Sequence, residues 1–145
     1  MATRLGIADR VTFPGWIDEA GVKALFDDAE ILVLPSYAEG LAMSVLEGLS
    51  YGMAVVATPV GAHAEVIETE VSGILVAPGN IDALADALQR VIADPNLQTR
   101  LRVGARTRFL EKFDVRGYAE RLSQIHWSVL SDSFSHRADT ASQTS

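Results

Sequence analysis

The hydrophobic residues of the chain follow two periods that alternate along the sequence. Continuous apolar runs at 31–34, 54–57 and 73–76 predict strands that are covered on both faces, as in a parallel sheet. An alternating stretch at 11–13, closed by a Pro-Gly pair, predicts a further strand that ends in a turn. The pattern therefore predicts several short strands separated by segments of another kind.

Between these runs, apolar residues recur at the i, i+3, i+4 spacing of amphipathic helices. This spacing predicts helices over 18–28, 42–51, 64–69 and 80–94. The last is the clearest, because Asn80 stands where a helix N-cap is expected and apolar residues keep the helical period after it.

Two more helices are predicted over 96–112 and 115–130. Strands that alternate with helices at these lengths indicate a parallel sheet with helical crossovers. The sequence thus predicts an α/β fold with helices on both faces of the sheet, in one domain over residues 1–130. Residues 131–145 are rich in Ser, Thr and Asp and poor in apolar residues, so we expect a disordered polar tail.

Composition narrows the possible partners. The chain has 145 residues, of which 48% are hydrophobic, so it is long and apolar enough to bury a core. Its net charge of −7 argues against nucleic acid or an anionic membrane as a partner. The densest group of cations has the spacing of a solvated helix face. Its members are Arg100, Arg102, Arg106 and Arg108.

The residue types and segments that the sequence lacks exclude further classes of protein. The chain has no cysteine, which excludes disulfides, thiolate metal sites and thiol nucleophiles and is compatible with a reducing cytoplasm. No signal peptide is found, and no apolar run approaches the ~20 residues that span a bilayer. We therefore expect a cytoplasmic location, with peripheral contact to the inner membrane face possible in a longer enzyme.

A ligand-binding site is most strongly indicated at residues 35–47, where an apolar strand is followed by a polar loop and then a helix. In open α/β sheets, ligands bind beyond the carboxyl ends of the strands, so this loop would lie at the site. Glu39 and Glu47 could form a glycosidase pair, whose carboxyl groups stand about 5 to 10 Å apart. Eight mostly helical steps, however, separate the two backbones by roughly 8 to 12 Å. The two carboxylates more naturally hold different parts of one elongated ligand.

Each feature of this loop also has a simpler interpretation. Glu47 lies opposite the apolar stripe of its helix, where an ordinary solvated glutamate would also lie. The backbone N–H groups from Gly40 to Met43 would favour an anion such as a phosphate, but every helix start has such groups. Gly40 would let a ligand approach closely, or it is a simple turn glycine.

The turn after the apolar run at 54–57 repeats the layout of strand, glycine turn and helix. It contains Gly61, Glu65 and a single histidine, His63. Without a second histidine at ligand spacing or any cysteine, no metal site is predicted. The chain also lacks the motifs G-x-G-x-x-G, G-x-x-x-x-G-K-[ST] and G-x-S-x-G, which removes the simplest dehydrogenase, NTPase and hydrolase hypotheses.

Four segments, taken in order, resemble the donor-binding half of the family 4 glycosyltransferases, of the group 1 type. They are VTFPGWI at 11–17, LPSYAEG at 34–40 with Glu47 seven intervening residues after Glu39, AVVATPVG at 54–61 with Glu65, and GILV at 73–76. The E-x7-E spacing alone is a weak signal, whereas the four segments together are specific. The resemblance covers residues 5–130.

The resemblance implies a fold and a reaction. In that family two Rossmann-like domains face each other in the GT-B architecture, and the C-terminal one binds a nucleotide-sugar. The chain would then be an incomplete C-terminal half of a GT-B fold, with a Rossmann-like parallel sheet. The enzyme would transfer a hexose to a saccharide or lipid acceptor with retention of configuration, without a metal or other cofactor, in polysaccharide or glycolipid biosynthesis.

The resemblance also implies roles for single residues. Glu39 would contact the hydroxyls of the donor sugar, as the catalytic residue, and Glu47 would accept hydrogen bonds from the ribose. The turn at Trp16 and Ile17 would hold the base, largely through backbone groups. The loop amides facing the sugar and the diphosphate would be those of Gly40, Leu41, Ala42 and Met43.

The chain departs from the family pattern at three positions near the site. Family members commonly have an aromatic residue and a glycine where this chain has Leu41 and Ala42, and an alanine where it has Gly48. The first two changes keep the amides but alter the pocket wall.

Larger parts of the family's fold have no counterpart in the chain. These are the acceptor-binding N-terminal domain and the beginning of the donor domain, with the Arg and Lys that neutralise the diphosphate. We therefore expect the isolated chain to be inactive or nearly so, and a sheet edge left open to promote self-association. The alternatives are a stand-alone nucleotide-sugar binding module and a structural fragment without a ligand.

Overall fold

A computed structural model describes residues 1–117, 119–120 and 122–128. Its described part contains one sheet of three parallel strands, in the order β1-β2-β3. The strands are β1 (Ile31–Leu34), β2 (Ala54–Ala57) and β3 (Ile74–Leu75). Ile31 pairs with Ala54, and Val56 pairs with Ile74. The predicted α/β fold with a parallel sheet is confirmed.

Up to residue 112, the chain forms five α-helices. They are α1 (Glu19–Asp28), α2 (Met43–Ser50), α3 (His63–Val66), α4 (Ile81–Ala93) and α5 (Pro95–Lys112). Two short 3-10 turns precede them, at Thr3–Leu5 and Ala8–Arg10. The helical periods of the sequence therefore predicted these helices, although α3 is shorter than expected.

Side chains close in sequence cap the starts of α1, α4 and α5. The carboxylate of Asp18 accepts a hydrogen bond from the Gly21 N–H at 2.9 Å and starts α1. Asn80 caps α4 in the same way through the Ala83 N–H at 3.0 Å, as predicted. Asp94 caps α5, whose first residue is a proline that has no N–H to satisfy.

The strand predicted at 11–13 is not formed. Val11 has extended backbone angles, φ −123° and ψ 120°, but residues 11–13 make no backbone hydrogen bond to another described residue. Phe13 is 82% exposed. The prediction was wrong because a strand needs a neighbour to pair with, which a local alternation of residues cannot supply.

The core lies on both faces of the sheet, because successive β2 residues point to opposite sides. On one face, Ala54 and Val56 pack with α4 and the start of α5. On the other, Val55 and Ala57 pack with α2, α3 and the middle of α5. All four side chains are fully buried, so helices cover both faces as predicted.

After α5, residues 115–117, 119–120 and 122–128 are helical. The predicted end of this helix at 129–130 and the predicted polar tail at 131–145 lie outside the described residues. Within the described part of the chain, no helix combines the length and the apolar character needed to cross a membrane.

Candidate functional site

The loop that joins β1 to α2 lies at the carboxyl end of the sheet. Glu39 is exposed near its middle. The hydroxyl of Ser36 donates a hydrogen bond to one carboxylate oxygen of Glu39 at 3.0 Å. This contact holds the carboxylate against its own loop and leaves its other oxygen without a partner among the described residues.

The start of α2 has backbone donors that the described protein does not use. Ala42 is the N-cap residue and supplies no side-chain hydrogen bond. The N–H groups of Gly40, Leu41 and Met43 have no hydrogen-bond partner among the described residues. The N–H of Ala42, in contrast, donates to Nε2 of His63 at 3.4 Å. Three of the four expected loop amides are therefore available to a ligand, and the fourth is engaged.

The turn between β2 and α3 donates hydrogen bonds to carbonyl groups of this loop. The hydroxyl of Thr58 donates to the Ser36 carbonyl at 2.6 Å, and the Ala62 N–H donates to the Gly40 carbonyl at 2.8 Å. Gly61 has φ 53°, and a Cβ there would lie 2.1 Å from the Gly40 carbonyl oxygen. Only glycine allows this close approach of the two backbones.

His63 is fully buried beneath the loop, which the sequence did not predict. Its Nδ1 lies 3.0 Å from the Thr58 carbonyl oxygen, and its Nε2 faces the Ala42 N–H. No group of three or more His, Asp or Glu side chains among the described residues could hold a metal ion. The position of His63 next to a glycine turn was the one feature of the sequence that hinted at this role.

Glu47 lies in a groove between α1 and the second half of α2, with a volume of about 520 Å³. Its carboxylate is exposed, whereas Val45 and Leu49 on the same helix are buried. This confirms that Glu47 points away from the apolar stripe. The groove is lined by Asp18, Glu19, Ala20, Val22, Lys23, Phe26, Glu47 and Tyr51.

The groove combines aromatic walls with charged groups. The rings of Phe26 and Tyr51 lie 5.3 Å apart, centroid to centroid. Lys23 donates a hydrogen bond to Asp27 at 2.5 Å, and this bond and the carboxylate charge raise the pKa of the lysine. The lysine therefore stays cationic at the rim of the groove.

The two residues expected to hold a base directly precede Asp18, the first residue along the chain that lines this groove, and neither of them lines it. Ile17 is half-buried and packs on Gly21, where an added Cβ would lie 3.2 Å from the Ile17 Cβ. Trp16 is fully exposed and does not line the groove. The structure thus places Glu47 in the groove beside α1, while Glu39 and the loop amides precede it, in the loop and the first turn of α2.

Three of the four arginines of α5 bind carbonyl groups. Arg102 Nε donates to the Gly52 carbonyl at 3.0 Å, and Arg106 donates to the Ser50 carbonyl. Arg108 donates to the Glu65 and Val66 carbonyls at 2.9 and 3.2 Å. Arg102 and Arg108 are half-buried, so the interpretation as a solvated face is wrong for these two, whereas Arg106 is exposed although it binds a carbonyl group. The sequence missed the contacts because the acceptors lie 42 to 56 residues away.

Comparison with known proteins identifies the family. Residues 1–108 match the family described as "Glycosyl transferases group 1". The chain belongs to the group 1 glycosyltransferases. A curated relative, the lipopolysaccharide core biosynthesis mannosyltransferase LpcC of Rhizobium leguminosarum bv. viciae, is 32% identical over 88% of the chain and 36% of its own length.

Solved glycosyltransferases share the fold. HepE of Anabaena, solved in complex with UDP, has a TM-score of 0.77 and 26% identity over 88% of the chain and 35% of its own. The same protein has been solved with UDP-glucose. The C-terminal domain of a group 1 glycosyltransferase, LpcC, from Francisella tularensis has a TM-score of 0.74 and 27% identity over 79% of the chain and 59% of that domain. The chain spans about a third of the length of its curated relatives.

One departure of this glycosyltransferase from the family pattern has a local cause. Gly48 of α2 faces β1, and a Cβ on it would lie 2.7 Å from Cδ2 of Leu32. The side chain of Leu32 therefore occupies the space that the methyl group of an alanine at position 48 would need.

Proposed function

We propose that the chain is most of the donor-binding, C-terminal domain of a family 4 glycosyltransferase that transfers a sugar from a nucleotide-sugar with retention of configuration. The observation that carries the proposal is the start of α2. Three unused amides lie there, in the loop and first turn that precede Glu47, and Glu47 faces a groove large enough for a nucleoside. The complexes of HepE with UDP and UDP-glucose support a donor of this class.

In this proposal the donor lies along α2. The groove takes the nucleoside, with the base near Trp16 and Ile17 and the ribose hydroxyls donating to the Glu47 carboxylate. The diphosphate then reaches the start of α2. At that point the free N–H groups of Gly40, Leu41 and Met43 and the positive end of the helix dipole favour negative charge. The sugar extends to Glu39.

The proposed reaction needs no metal ion. As the bond between the sugar and the diphosphate breaks, negative charge grows on the leaving phosphate, and the loop amides donate to it. Glu39 accepts hydrogen bonds from the sugar hydroxyls and orients the ring. These amides carry only partial charges, so we propose that the isolated chain binds its donor but transfers no sugar. Detectable transfer by the purified chain would contradict this part of the proposal.

Titration calorimetry with UDP, GDP and their sugars tests the proposed binding. Because a hydrogen bond to a charged group contributes about 1.5 to 3 kcal/mol, Glu47→Ala is expected to weaken binding at least ~10-fold. The matched control is Glu65→Ala, since Glu65 is also an exposed glutamate of a short helix, and its hydrogen bonds to other described residues come from its backbone, to Ala62 and Arg108. Equal effects of the two substitutions would contradict the ribose role of Glu47.

A further inference from the structure

A buried imidazole joins two turns at the carboxyl end of the sheet. His63 has no exposed surface, and both of its ring nitrogens are within hydrogen-bond distance of backbone groups. Nδ1 is 3.0 Å from the Thr58 carbonyl oxygen and Nε2 is 3.4 Å from the Ala42 nitrogen. The ring therefore bridges the end of β2 and the residue that starts α2.

These two partners fix the protonation of the ring. A carbonyl oxygen can only accept, so Nδ1 must carry a proton and donate to Thr58. A backbone N–H can only donate, so Nε2 must be unprotonated and accept from Ala42. His63 is thus the neutral tautomer with the proton on Nδ1, and a proton on Nε2 would remove the acceptor of the Ala42 N–H.

The bridge completes a set of contacts along the whole loop. Thr58 holds the beginning of the loop at the Ser36 carbonyl, and Ala62 holds its middle at the Gly40 carbonyl. His63 holds its end at Ala42. Without the third contact, the Ala42 N–H would have no hydrogen-bond partner among the described residues, and packing on the core would hold Ala42 without fixing the direction of its amide.

We propose that His63 is a positioning residue for the donor loop. By accepting from the Ala42 N–H, it orients the neighbouring amides of Leu41 and Met43 towards the diphosphate. The proposal rests on the proposed function of this loop, and it assigns His63 no contact with the donor. It also explains why the Ala42 N–H is not available to a ligand.

Three substitutions of His63 distinguish a role in positioning the loop from a role in packing alone. His63→Gln keeps an acceptor near the place of Nε2, His63→Asn keeps only a donor near the place of Nδ1, and His63→Leu fills similar space with neither. The probe is whichever of UDP and GDP the wild-type chain binds more tightly. In His63→Asn and His63→Leu the loop amides lose their preorganisation, so we expect the affinity for this nucleotide to fall about tenfold. In His63→Gln we expect this affinity to be largely kept.

The matching nucleoside, uridine or guanosine, is titrated by NMR as the comparison ligand. It reaches the Glu47 groove but not the loop amides, so its affinity should stay the same in all three variants. A general loss of structure would weaken nucleoside and diphosphate binding together. That result, or equal diphosphate affinity in the three variants, would overturn the proposal.

A second measurement does not depend on any ligand. Nitrogen-15 spectra of the wild-type imidazole should show the proton on Nδ1, and the Ala42 amide should exchange with solvent faster in His63→Asn than in His63→Gln. The opposite tautomer or equal exchange would overturn the role of His63 even if donor binding is found. If wild type binds neither nucleotide, the proposed function fails, and with it the donor role of His63. The spectra would then still decide whether the ring holds the loop.

Discussion

At the scale of the residue, the close approach of two backbones at Gly61 depends on the absence of a side chain. In Gly61→Ala the new Cβ would lie 2.1 Å from the Gly40 carbonyl oxygen, at φ 53°. We expect the clash and the left-handed backbone together to lower the free energy of unfolding by about 2 to 4 kcal/mol. Urea unfolding measures this loss.

Gly15→Ala is the matched control for this clash. Gly15 has φ 66°, but nothing lies within 4 Å of an added Cβ. Its substitution should cost only the left-handed conformation, about 1 kcal/mol. If both variants lose the same stability, the clash with the Gly40 carbonyl is not the cause.

At the scale of the element, α5 holds the carboxyl ends of two other helices through its arginines. Arg102 is half-buried and donates to the Gly52 carbonyl just beyond α2. A cation there interacts favourably with the helix dipole, so Arg102→Ala should cost about 1 to 2 kcal/mol. Arg100→Ala is the control on the same helix, because Arg100 is exposed, and it should change stability by less than about 0.5 kcal/mol. An equal loss in both variants would contradict the capping role.

The turn before β3 is tied to α4 by an ion pair that should respond to pH. Arg90 donates two hydrogen bonds to the Glu70 carboxylate, at 3.0 and 2.9 Å, and lowers its pKa below the ordinary value of 4.5. The pair therefore stabilises the fold fully above pH 4.5 and loses its effect as pH falls through the lowered pKa.

Urea unfolding of the wild type and Glu70→Gln at pH 6.5 and at pH 3 measures this contribution. The side chains of Arg90 and Glu70 are both about half exposed. Solvent screening therefore limits the difference in unfolding free energy between wild type and variant to about 0.5 kcal/mol at neutral pH. The amide cannot titrate, and we expect the variant to approach the wild type in stability at the lower pH. If the difference in unfolding free energy between the two proteins is the same at both pH values, the ion pair does not explain it.

At the scale of the whole molecule, the sheet has an open edge in the described part of the chain. β1 pairs with β2 alone, and Val33 in its middle is 39% exposed. Unpaired strand edges favour association between chains. We expect sedimentation velocity to show self-association that increases with concentration and decreases in Val33→Lys. Val103→Lys, at an exposed site of α5, is the control, and a monomer at all concentrations would contradict the expectation.

How much of the molecule the sequence predicts depends on the range of each interaction. The strands at β1 and β2 and the cap at Asn80 depend on apolar runs and on side chains within a few residues, so a local pattern contains the necessary information. The positions of Glu47 and Gly40 were also predicted, because the helical period and the end of a strand fix them.

Only the tertiary structure decided the contacts that connect distant segments. Residues 11–13 had the pattern of a strand but found no partner, since pairing depends on a neighbour elsewhere in the chain. His63 meets Ala42 across 21 residues, and Arg102 meets Gly52 across 50. The sequence by itself determined the strands and helices around the site, with Glu39 in the loop and Glu47 on the helix that follows. The packing of α3 against the loop decided that the Ala42 N–H is engaged while its neighbours stay free, because buried polar groups take whatever partners the fold brings to them.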